Sequence, residues 1–170
     1  LEPRKGVDTL LDAFTALPAV LRKSFPLILA GASGWKDKEL QTRIEVLSRT
    51  KTIRHLSFVP EADLPALYSG AALFIAPSSY EGFGLPTLEA MACGTPTLCT
   101  ADTSMAEFSD GASSLFHRGD SCHLAERIQY LLEHDDARRV LAEKGLLRAS
   151  QLTWDRCARH TYNVYRSVAV

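Results

Sequence analysis

Short apolar runs alternate along the chain with stretches whose apolar positions recur every three or four residues. Val7, Leu10, Leu11, Phe14 and Leu17 sit at helical spacing, so the first element is read as a helix. The run from Pro26 to Ala30 predicts a buried strand ending at Gly31, and Leu40, Ile44 and Leu47 lie on one face of a helix over 37–48. Ile53 to Val59 predicts a second strand, Asp63 to Ser69 a short helix, and Ala72 to Ala76 a third strand. The next helix starts near Pro86, which suits the first helical position because its missing N–H costs nothing there. Gly94 is placed to cap that helix, Pro96 opens a strand through Thr100, and Ser114 to His117 forms another short strand. From Asp120 onward the pattern is helical: Ser121 to Glu133, Asp136 to Ser150, and Trp154 to Val168 with Thr153 as N-cap. Strand and helix alternate, so the chain is expected to be α/β, a Rossmann-like doubly wound parallel sheet with helices on both faces.

Length allows one well-buried domain: 170 residues, of which 46% are hydrophobic and 23% charged. A net charge of −1 offers no general attraction to nucleic acid or to anionic lipid. No apolar run approaches the roughly 20 residues of a spanning helix. Cys93, Cys99, Cys122 and Cys157 lack both C-x2-C spacing and disulfide-rich density, so they are expected to be buried thiols in a reducing cytosol.

The chemistry concentrates between Pro77 and Pro96. Gly82 and Gly84 free a turn between a strand and a helix, and the helix start offers unpaired N–H groups and a favourable dipole to an anion above the strand ends. Phosphate is the guest that suits them. Glu81 in the loop and Glu89, expected in the first helical turn, would repel a phosphate unless they accept hydrogen bonds from neutral hydroxyls. A sugar nucleotide satisfies both conditions, with phosphates on the amides of Phe83, Gly84 and Leu85 and hydroxyls on the glutamates. Arg4 and Lys5 precede the first helix, from where cations can reach a diphosphate.

Glu81 and Glu89, with seven residues between them, within Pro-Ser-x-Tyr-Glu-Gly-Phe-Gly-Leu-Pro-x-Leu-Glu-Ala-Met-Ala-Cys-Gly-Thr-Pro, resemble the signature of retaining GT-B glycosyltransferases of the glycosyl transferases group 1 class. The resemblance extends from Glu2-Pro-Arg-Lys-Gly6 through Leu64-Pro-Ala-Leu-Tyr-Ser-Gly-Ala71 to Trp154, and is to the C-terminal, donor-binding half of those enzymes. It implies that residues 1–170 are a nucleotide-sugar-binding domain whose first, central strand and acceptor domain lie upstream, with 154–170 as terminal helix. By the same resemblance Lys5 contacts the diphosphate with Arg4 as helper, Gly31 lines the nucleotide side of the crevice, and Phe58 and Val59 give backbone contacts to the base. Glu81 is assigned to the donor sugar and Glu89 to the ribose hydroxyls. Gly34 and Trp35 lie on the same nucleotide side, Trp35 either covering the base or packing at a helix edge.

The implied reaction is transfer of a sugar, with retention, from a nucleotide-diphosphate donor to a glycan or lipid-linked acceptor. Glu81 and Lys5 are its expected catalytic residues. The chain has no Asp-x-Asp pair, so the leaving charge is expected to be met by Lys5, Arg4 and helix amides without a metal or other cofactor. The start of the chain and Gly34-Trp35 resemble mannosyltransferases of O-antigen and exopolysaccharide assembly, favouring GDP-mannose over a UDP-sugar. Localisation is expected to be cytoplasmic, with membrane contact only through the missing domain. The alternative is a catalytically inactive GT-B subunit that binds a nucleotide sugar for regulation. The five histidines, lacking a partnered nucleophile, and the charged runs Asp135-Asp136 and Arg138-Arg139 read as structural or solvated.

Overall fold

The computed structural model describes residues 2–32, 38–109 and 111–169. A 3-10 turn over Pro3–Lys5 leads into α1 (Val7–Ala16), α2 (Ala19–Ser24), β1 (Leu27–Ala30), α3 (Lys38–Ser48) and β2 (Ile53–Leu56). A second 3-10 turn, Glu61–Asp63, precedes α4 (Leu64–Ser69), β3 (Phe74–Ala76), α5 (Leu85–Ala92), β4 (Thr97–Thr100), α6 (Ser104–Ser109) and β5 (Ser113–Phe116). Three helices close the chain: α7 (Ser121–Glu133), α8 (Asp135–Gln151) and α9 (Trp154–Val168).

All strand pairs among the described residues are parallel, as the alternating pattern requires. They form two sheets, β1–β2 and β3–β4–β5. Among the described residues no ladder joins β1 to β3, the first strands of the two sheets. Side chains join what the ladders do not. Leu29 of β1, Ile53 of β2, Leu98 of β4 and Phe116 of β5 share one core with Leu10, Leu11 and Phe14 of α1 and Leu124 and Ile128 of α7. The apolar stripe of α1 is buried as its spacing predicts, with Leu11 fully enclosed.

On the opposite face of β3–β5, Met91 of α5 packs with Ala76, Cys99, Met105 and Phe108. Helices therefore cover both faces of this sheet. The outer face of β1–β2 is more open than expected, with Ile28 and Leu56 each 36% exposed, because Leu40 and Ile44 of α3 join the same core as α1.

Several boundaries differ from the pattern. Pro86 is the second residue of α5, and Glu89 begins its second turn. Helix α2 has no buried residue and hence no apolar stripe to announce it. The thiols are not uniformly buried: Cys99 is enclosed, with its pKa pushed up to about 11 by burial against a smaller opposing effect of Ser113, Cys93 is half-buried, and Cys122 and Cys157 are exposed. Arg138 does not lie on a solvated face but donates to Leu132 O at 2.8 Å and lies over the Phe25 ring, closing the end of α7. Thr153 caps α9 as predicted, accepting from Arg156 N at 3.2 Å. Helix α9 has no buried residue, and Trp154, Tyr165 and Val168 are exposed. No helix among the described residues is long and apolar enough to cross a membrane.

Candidate functional site

The site is assembled where the 3-10 turn before α1 meets the loop after β3. Gly6 makes the meeting close: its φ is +65°, and a Cβ there would lie 2.1 Å from the carbonyl oxygen of Pro77. Ser79 N donates to Arg4 O at 2.8 Å, and Ser79 Oγ reaches the same oxygen at 3.2 Å. The cationic turn is thus sewn by its backbone to the segment that carries Glu81.

Across this seam Lys5 Nζ donates to Glu81 Oε1 at 2.6 Å, and Arg4 Nη1 approaches Glu81 Oε2 at 3.4 Å. Arg4 also pairs with Glu2 at 2.7 Å and donates to Tyr80 O at 3.4 Å. The Glu81 side chain is only 16% exposed, so the pair is better shielded from solvent than an ordinary surface salt bridge. Burial alone would raise the Glu81 pKa. Hydrogen bonds from Lys5 and Ser78, with the charges of Lys5 and Arg4, outweigh it and hold the carboxyl below its usual range.

The glycine loop is held from below by α6. Ser104 Oγ is 2.9 Å from Glu81 O and 3.1 Å from Phe83 O, and the Phe83 ring stacks on Phe108 at 4.7 Å. Gly84, the residue before α5, has φ +102°, and a Cβ there would lie 2.4 Å from Met105 Cγ. Its carbonyl accepts from Thr87 N at 3.0 Å, while the amides of Phe83, Gly84 and Leu85 have no backbone partner outside the helix among the described residues. Cations from one segment and open amides from another therefore border one half-buried carboxylate, an arrangement suited to a phosphate with hydroxyls beside it.

Glu89 is exposed on α5, and its Oε2 accepts from the Tyr68 hydroxyl at 2.9 Å. At the end of β1, Gly31 N donates to Leu56 O at 2.9 Å, and its own carbonyl lies 2.8 Å from His55 Nε2. A carbonyl only accepts, so His55 donates there and fixes this turn. A Cβ on Gly31 would meet nothing within 4 Å among the described residues. Past β2, Phe58 is 80% exposed and Val59 half-buried. Gly34 and Trp35 lie outside the described residues.

Arg4, Lys5 and Glu81 are thus brought together, with Gly82, Phe83, Gly84 and Leu85 beside them. Among the described residues, Glu89, Gly31, Phe58 and Val59 form no hydrogen bond or ion pair with Arg4, Lys5 or Glu81: Glu89 stands a turn further along α5, the others on neighbouring elements. Sequence reasoning missed Ser104, Ser78 and Ser79, which hold the loop, and Tyr68, which holds Glu89. Ser104 carried one signal, its place just past a strand's carboxyl end.

Residues 1–148 match the family model described as glycosyl transferases group 1. The O-antigen chain mannosyltransferase B of Escherichia coli is 41% identical over 166 residues, covering 98% of this chain and 44% of that protein. Sucrose-phosphate synthase from Thermosynechococcus elongatus is similar in structure with a TM-score of 0.83 at 29% identity, over 98% of this chain and 43% of that one. HepE of Anabaena, solved with UDP, aligns with a TM-score of 0.86 at 26% identity, over 99% of this chain and 47% of that one. The chain spans less than half the length of each of these proteins. It belongs to the glycosyl transferases group 1 family, with the fold of the C-terminal domain of a GT-B glycosyltransferase.

Proposed function

We propose that this domain binds a nucleotide-diphosphate sugar and provides the donor half of a retaining glycosyl transfer, with GDP-mannose as donor. The observation that carries the proposal is the convergence of Lys5 and Arg4 on Glu81 beside the open amides of the glycine loop. Departure of the sugar breaks its anomeric C–O bond, so positive charge grows on the sugar ring and negative charge on the diphosphate. Lys5, Arg4 and the amides of Phe83, Gly84 and Leu85 meet the diphosphate without moving far, since the backbone already holds them. Glu81 lies next to those cations, where a carboxylate can accept from donor-sugar hydroxyls. Glu89 accepts from the ribose, while Gly31, Phe58 and Val59 border the base.

The mannose assignment is supported by the E. coli relative, itself named a mannosyltransferase, and nucleotide binding by the UDP held in HepE. The acceptor is taken to be a glycan or lipid-linked glycan held by an N-terminal domain, and the enzyme to work in the cytoplasm. A strand upstream of Leu1 is assigned to the gap between the two sheets.

A binding and turnover screen of the full-length protein tests this reading. GDP-mannose is expected to bind and be consumed in preference to UDP-sugars, and the 170 residues alone to bind weakly and transfer nothing. A full-length protein that binds GDP-mannose without ever turning it over would establish the regulatory subunit instead. Chelation gives a second expected result: transfer should survive EDTA, because cations of the chain and helix amides take the place of a divalent ion. Loss of activity in EDTA that magnesium or manganese restores would overturn this account of the diphosphate site.

A further inference from the structure

Tyr68 and Glu89 stand on different helices, and a single hydrogen bond links them. The Tyr68 hydroxyl donates to Glu89 Oε2 at 2.9 Å. The tyrosine itself has little freedom. Its ring meets Phe74 of β3 edge-on, with centroids 5.6 Å apart and planes at 75°. Its backbone carbonyl accepts from Thr95 Oγ1 at 2.7 Å, and Thr95, just beyond the end of α5, is 2% exposed. Tyr68 is therefore tied to β3 by its ring, to the turn after α5 by its carbonyl, and to the middle of α5 by its hydroxyl.

Glu89, by contrast, is an exposed side chain of a type that ordinarily samples many rotamers, and ordering it on binding costs free energy. The phenol removes that freedom beforehand. It occupies one lone-pair direction of Oε2 and leaves Oε1, and the rest of Oε2, to accept from other donors. Burial, aided by the hydrogen bond and charge of Glu89, pushes the Tyr68 pKa well above its ordinary value, so the group remains a donor across the working pH range.

We propose that Tyr68 is a positioning residue that presets the Glu89 carboxylate to accept the vicinal hydroxyls of the donor's ribose. This rests on the reading of Glu89 as the ribose acceptor. The competing explanation is that Tyr68 only packs α4 against β3 and α5, and Tyr68→Phe separates the two because it keeps the ring on Phe74 and removes only the hydroxyl.

The experiment measures, in the full-length enzyme, affinity for whichever of GDP and UDP the donor screen selects, and for its 2′-deoxy counterpart. Tyr68→Phe is expected to weaken the ribonucleotide by about tenfold, the scale of a hydrogen bond to a charged group, and the deoxynucleotide much less. Donor KM should rise with kcat nearly unchanged. In a Glu89→Gln background, Tyr68→Phe should add no further loss. Equal weakening of both nucleotides, or a lower kcat at constant KM, would overturn the proposal in favour of packing. An unaltered Tyr68→Phe beside a weakened Glu89→Gln would overturn the positioning role alone. Unaltered binding by both variants would overturn the ribose reading and the positioning role together.

Discussion

Lys5→Ala in the full-length enzyme is expected to lower kcat by about 10²- to 10³-fold, the usual loss when one preorganised group facing a developing negative charge is removed. The ammonium is 2.6 Å from Glu81 and held by a turn that Ser79 and Gly6 pin to the β3 loop. It need not be recruited from solvent when the diphosphate leaves. Arg4 cannot take over fully, since it approaches Glu81 at 3.4 Å and is shared with Glu2 and Tyr80. Glu81→Gln should separate from this. It leaves Lys5 without a competing carboxylate, so nucleotide affinity is expected to hold or improve while turnover falls. Steady-state rates with nucleotide titrations decide the matter. Mild and equal effects of Glu81→Gln and Glu89→Gln on affinity and rate would contradict the division of roles between the two glutamates.

The same pair predicts a pH effect. A carboxyl whose folded pKa lies below its unfolded value, here 4.5, adds stability that is present above that value and is lost as pH falls through the lowered one. Lys5→Ala removes the leading favourable contact of Glu81, so the variant's stability should depend less on pH in that acid window. Denaturant titrations at neutral pH and below pH 4.5 provide the comparison.

Gly6→Ala is expected to lower the melting temperature of the enzyme by about 5–15 °C. A left-handed conformation costs an alanine roughly 1–2 kcal/mol. Overlap in a packed place adds about 1–3 kcal/mol, and each kcal/mol moves Tm by about 2–4 °C at this size. The obstacle, 2.1 Å from the ideal Cβ, is the backbone oxygen of Pro77, which has no rotamer to change. Gly84→Ala provides a comparison in which the obstacle is a side chain. Its Cβ would lie 2.4 Å from Cγ of Met105, itself 1% exposed in the core, and its φ is +102°, so stability should fall there as well. Calorimetry of the two variants measures both losses, and Gly6→Ala should weaken nucleotide binding too, since Lys5 sits on the displaced turn. An unchanged Tm for Gly6→Ala would show that the two segments are not tightly joined.

Elements that bury a regular face were legible from spacing alone. Helix α7 runs from Ser121 to Glu133 as read, and its Leu124, Ile128 and Leu131 are enclosed. Helix α2 was not legible, because nothing on it is buried. Strands β1, β2 and β3 came out shorter than their apolar runs, since a run records burial whereas a strand also needs a partner. Ala72 and Leu73 pack against the core while the β3–β4 ladder begins at Phe74 and Thr97. In the site, the glycine loop and its two glutamates stood out by composition, and Lys5 by resemblance. The groups that orient them did not. Tyr68 lies 21 positions from Glu89, and Ser104 lies 23 from Glu81, so only the folded chain brings each pair together.

Helix α9 has a practical consequence for spectroscopy. The chain contains two tryptophans, and Trp154 stands 78% exposed at the start of that helix, clear of the buried cores. Within these 170 residues, with Trp35 changed to phenylalanine, indole fluorescence would report from one known place. Its emission starts from a water-facing ring, so any surface that covers the helix would shift the spectrum to shorter wavelength, without a label and without disturbing Lys5, Glu81 or Glu89.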